Sequence, residues 1–68
     1  MTLDEFMISI DNEIQQIKNQ GKNKLFRMSQ NITGENILNT LSDYYHAKGI
    51  AVDIHRCTRG SWDFICWW

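Results

Sequence analysis

Proline is absent from this chain of 68 residues, and so is any repeat, linker or low-complexity stretch. Nothing marks a second domain, so residues 1-68 are expected to form a single small domain. Charge of one sign is also missing. Seven basic residues face eight acidic ones, which excludes a general attraction to nucleic acid or to acidic membranes and leaves only local patches for such roles. Apolar runs stop at about five residues, against the roughly 20 that a membrane helix needs. The first residues form an acidic amphipathic stretch, not a basic region followed by an apolar run. The expectation is a cytoplasmic protein without a membrane partner, in which Asn31-Ile32-Thr33 is an unused glycosylation pattern and two cysteines stay reduced.

Motifs of catalysis and ligation are equally scarce. The four glycines are isolated, so no phosphate-cradling loop is present. His46, His55, Cys57 and Cys66 amount to the ligand number of a structural zinc site, but no C-x-x-C or H-x-x-x-H pair exists. Cys57 and His55 suggest a nucleophile and its base, yet neighbours on one face of a strand have no cleft around them, and so short a chain has little material to build one. Asp4, Asp11 and Glu13 are spaced as a solvated helix face. The chain is therefore expected to be no enzyme, to carry no cofactor and to hold no metal.

Aromatics, in contrast, are plentiful and unevenly placed. The segment Arg59-Gly60-Ser61-Trp62-Asp63-Phe64-Ile65-Cys66-Trp67-Trp68 holds every tryptophan of the chain. Thr2-Leu3-Asp4-Glu5 is a capping box. Leu3, Met7, Ile10, Ile14 and Ile17 continue from it at helical spacing, and Gly21 can end the run in a left-handed conformation, which predicts a helix from about residue 3 to 20. Lys24 to Ser29 reads as a strand, with Phe26 and Met28 sharing one face and Leu25, Arg27 and Ser29 the other. Thr33 is the expected N-cap of a second helix carrying Ile37, Leu38, Leu41, Tyr44 and Tyr45, closed by Gly49 with Ile50 folded back on its last turn.

The last third reads as a hairpin. Thr58-Arg59-Gly60 fits a three-residue loop made of a type I turn and a left-handed Gly60, so that Cys57 faces Ser61, Arg56 meets Trp62, Ile54 meets Phe64 and Val52 meets Cys66. A one-residue slip would bury Asp53 among aromatics. With this register Ile50, Val52, Ile54, Trp62, Phe64, Cys66 and Trp68 line the core face. Cys57 and Cys66 then point to opposite sides, too far apart for a disulfide. The last strand is apolar on both faces and belongs in the centre. The expected fold class is α+β with element order α-β-α-β-β, a three-stranded, mainly antiparallel sheet of order 1-3-2 and two helices packed on one face.

Two surfaces then stand out. Trp67 and Ile65 lie on the uncovered side, where Leu25 is expected beside them, with Asp53, His55 and Asp63 as a polar rim. This is a candidate partner-binding face or the interface of a homodimer. Lys18, Lys22, Lys24 and Arg27 form a basic cluster, joined by Arg56 and Arg59, that offers an alternative role in nucleic-acid binding; acids at the start of the first helix and bases at its end also offset the helix dipole. Chains of this size, rich in Asn, Ile and Lys and lacking a catalytic motif, resemble in type the small accessory proteins of bacteriophages and mobile elements. The resemblance implies a regulatory, possible inhibitor role through binding an unidentified protein partner, and carries over no functional residue.

Overall fold

The computed structural model describes residues 1–68. A helix at Leu3–Asn19 (α1) leads to a strand at Lys24–Gln30 (β1), a helix at Ile37–His46 (α2), and strands at Ala51–Arg56 (β2) and Trp62–Trp67 (β3). The three strands form one antiparallel sheet in the order β1-β3-β2. Both helices cover the face that carries Phe64, whose ring meets Phe6 of α1 edge-on at 5.3 Å and Tyr45 of α2 at 5.6 Å. The architecture is the one expected from the residue pattern.

Local chemistry explains where α1 begins and ends. The Thr2 hydroxyl accepts from the Glu5 amide at 3.2 Å and the Glu5 carboxylate accepts from the Thr2 amide at 3.0 Å, so two orphan donors of the first turn are satisfied. Bonds from Thr2 hold the Glu5 carboxyl below its ordinary pKa. At the other end Gly21 takes φ 75 and lets the Lys22 amide donate back to the Ile17 carbonyl at 3.1 Å. Phe6, Ile10 and Ile14 form the buried stripe between these caps. α2 closes in the same manner, with Gly49 at φ 76 and the Ile50 amide donating to the Tyr45 carbonyl at 2.9 Å, which leaves Ile50 buried.

The start of α2 departs from expectation. Thr33 is not its N-cap; the helix begins at Ile37, after Asn36 in a left-handed conformation with no side-chain cap. Thr33 is engaged elsewhere, because its amide donates to the Met1 carbonyl at 2.8 Å and its own carbonyl accepts from Leu3 at 3.0 Å. These bonds form a parallel bridge between Thr2 and Thr33. Gly34 follows at φ 153, and a Cβ there would lie 3.3 Å from Cβ of Leu3, so close passage over α1 favours glycine. The Thr33 hydroxyl also donates to the Met1 carbonyl, at 3.2 Å, so this residue is held against the N-terminal segment and the helix starts four residues later.

The hairpin keeps the expected register: Arg56 with Trp62, Ile54 with Phe64 and Val52 with Cys66. The Cys57 amide donates to the Ser61 carbonyl at 2.8 Å. Its turn is not type I, however, since Arg59 has φ 96 as well as Gly60 φ 75. Phe64 and Cys66 are completely buried. Tyr44 and Lys48 add a polar clasp between the helices, as the Tyr44 hydroxyl donates to Asp11 at 2.7 Å and the Lys48 ammonium donates to Tyr44 at 2.9 Å. That second bond raises the Lys48 pKa. No helix is long and apolar enough to cross a membrane.

Candidate functional site

β1 settles which side chains lie on the open side of the sheet, and it does so with its faces reversed from expectation. Leu25 pairs with Cys66 on the helix-covered face and is buried, so it does not belong to the proposed contact surface. Phe26 pairs with Ile65 and faces outward. Counting apolar residues favours Phe26 and Met28 inside, but the inner position after Leu25 lies under the polar flank of α1. There Arg27 donates from Nε to Glu13 at 2.6 Å and from Nη2 to Ser9 at 3.1 Å. A charge at that position is paired, which removes the penalty that would otherwise send it outward.

Register with β3 shifts between Arg27 and Gln30, with Ser29 at φ 55. The Ser29 amide donates to the Asp63 carboxylate at 2.8 Å, so Asp63 anchors this irregularity. Beyond it Ile32 enters the core, a position that helical or strand periodicity does not mark.

Across the open face the cross-strand partners fall in rows. Lys24, Trp67 and Ala51 make the first, and Phe26, Ile65 and Asp53 the second; His55 lies opposite Asp63 in the third. Trp67, Ile65, Asp53, His55 and Asp63 are therefore brought together as expected. Leu25 is replaced by Phe26 and Met28, which are 55% and 49% exposed. Trp67 is 40% exposed, and Lys24 lies 5.4 Å from the centre of the Phe26 ring. His55 Nε2 is 3.0 Å from the Asp53 carboxylate. The signal that could have identified Phe26 was Arg27 itself, because a strand with an arginine between two apolar residues can turn either way when a helix offers a carboxylate.

The basic residues do not gather. Arg27 is taken by Glu13, Lys18 lies 5.8 Å from the centre of the Trp68 ring, and Arg56 stands at the same distance from the Trp62 ring. Lys24 pairs with Trp67 at one end of β3 while Arg56 pairs with Trp62 at the other. Strand rise puts about 17 Å between these ends. Lys18, Lys22 and Lys24 are thus separated from Arg56 and Arg59, so that of the six cations expected as one patch five fall into two groups and Arg27 is paired with Glu13.

The groups that could perform chemistry are dispersed as well. Cys66 is buried on the helix side, where burial pushes its thiol up to about 12, while Cys57 is half-buried at the hairpin end; both are free. No three His, Cys, Asp or Glu side chains converge on a common point. A groove of about 590 Å³ lies between the 32–39 segment and the hairpin, lined in part by Ile32, Asn36, Ile37, Arg56 and Trp62. It contains no carboxylate, imidazole or thiol to act as base or nucleophile. No family model, curated protein or solved structure matches the chain.

Proposed function

We propose that this chain is a small non-enzymatic interaction protein that binds and modulates a protein partner through its open sheet face. The observation that carries this reading is the apolar surface of Phe26, Met28, Ile65 and Trp67 on the side away from both helices. Large apolar side chains grouped on a surface lose free energy on contact with a complementary surface, and a tryptophan flanked by polar groups is a common anchor of such contacts. Asp53 and His55 supply the polar rim. Asp63 contributes mainly by holding Ser29 in place.

The resemblance in type to phage and mobile-element accessory proteins makes a host protein the natural partner class. Nucleic-acid binding is less well supported, because the cations lie in two separate groups and Arg27 is already paired. Partner capture from a bacterial host lysate, by the wild-type chain and the Trp67→Ala variant in parallel, tests the proposal. A protein retained by the wild type at both low and high salt and lost by the variant supports it. Retention that vanishes with salt in both chains points to phosphate contacts and overturns it.

A further inference from the structure

The two edges of the sheet differ in a way that matters for self-association. β1 is interrupted where Ser29 adopts φ 55 and its register with β3 shifts; such an edge resists pairing. β2 is regular, matched residue for residue with β3 from Ala51 to Arg56, and contains neither glycine nor proline. The Cys57 amide donates to the Ser61 carbonyl. Every second residue back from it, His55, Asp53 and Ala51, therefore turns its backbone groups toward β3. Val52, Ile54 and Arg56 turn theirs outward, into an edge with no neighbouring strand.

We propose that this edge pairs with the same edge of a second copy of the chain, β2 antiparallel to β2, with Ile54 on the two-fold axis. Side-chain chemistry selects the register. A two-fold axis perpendicular to the sheet keeps covered face with covered face, so only registers joining residues of the same face are open. Centring on Asp53 sets two carboxylates against each other. Centring on His55 opposes two imidazoles and runs Val52 past the end of the partner strand. Centring on Ile54 places Asp53 of each copy opposite His55 of the other, twice, and lays Val52 beside the aliphatic stem of Arg56.

Backbone bonding agrees with that choice. All outward groups of Val52, Ile54 and Arg56 then find partners, roughly six bonds in total. Asp53 and His55 fall at the positions where cross-strand side chains approach most closely. Both are at least half exposed in the single chain, at 50% and 63%, and their 3.0 Å contact with each other there is exchanged in the dimer for two such contacts between copies. A seam of one strand per copy is small against the roughly 1,200 Å² of stable complexes, which places this association in the weak class. It yields one six-stranded sheet with both Trp67 surfaces on the same side. The pairing does not depend on the function proposed above.

Sedimentation velocity of the full chain, from low micromolar to millimolar concentration, tests it, with circular dichroism checking each variant's fold. The wild type is expected to pass from monomer to dimer. Asp53→Lys and His55→Asp should each raise the dissociation constant by roughly tenfold or more, and the double variant should recover most of that loss because an ammonium then faces a carboxylate across the seam, twice. Ile54→Pro removes an outward amide without touching the bonds to β3, and should abolish the dimer. Trp67→Ala should leave it unchanged. A wild type that stays monomeric throughout, a double variant no better than the single ones, or a dimer lost in Trp67→Ala and kept in Ile54→Pro overturns the edge pairing.

Discussion

Truncating Phe64 to alanine is the sharpest test of how this domain holds together. The side chain is fully buried on the central strand, with Phe6 edge-on to it at 5.3 Å and Tyr45 at 5.6 Å. Its neighbours belong to two helices tied to each other by the Asp11, Tyr44 and Lys48 clasp, so they cannot close the void without moving an entire element. Phe→Ala at such a site costs about 3–5 kcal/mol, including the aromatic contacts and the cavity left behind. A chain of 68 residues has about 3–10 kcal/mol of stability to lose. Phe64→Ala should therefore be largely unfolded or reduced to a small remainder. Urea titration followed by far-UV circular dichroism and tryptophan emission measures this directly. Trp67→Ala on the opposite face should cost about 1 kcal/mol or less and retain the folded spectrum. If Phe64→Ala lost less than about 1 kcal/mol, or Trp67→Ala lost as much as Phe64→Ala, the assignment of covered and open faces would be wrong.

Arg27→Ala should lower stability by about 1 kcal/mol in the same titration, since it leaves Glu13 and Ser9 without their partner, whereas Lys22→Ala should change it by less than about 0.5 kcal/mol. Thiol labelling at neutral pH should modify Cys57 in the native chain and reach Cys66 only when urea opens the core. Burial keeps Cys66 protonated up to about 12 in the folded chain, against an ordinary value of 9.0, so the unfolded state gives up this proton first. Stability is thus intact below about pH 9 and falls as pH rises toward the folded value, by up to about 1.4 kcal/mol per pH unit for one proton. Burial raises Tyr45 too, from 10.0, which adds to the fall above that pH. A urea midpoint that stays constant between pH 8 and pH 11 would contradict the burial of both groups.

The distribution of residues along the chain determined most of the scaffold. A capping box, apolar residues at helical spacing and a terminal glycine are local features, and α1 follows from them because its hydrogen bonds close within a few residues. The hairpin register was legible for a related reason: any slip of one residue would carry Asp53 into the core, a cost no local rearrangement offsets. With the last strand apolar on both sides and the crossover hand fixed, the order β1-β3-β2 had little competition.

What only the tertiary structure decided is which way an ambiguous element turns. β1 has apolar side chains at both parities, and its orientation depends on Glu13 and Ser9 of another element reaching Arg27. Thr33 has the chemistry of a cap, but a partner 32 residues away claims it first. The cations adjacent in sequence around the first loop are parted from Arg56 and Arg59 by the length of a strand. In each case the outcome rests on a polar group finding a distant partner. Such pairing depends on the position of whole elements in space, which neither spacing nor composition encodes.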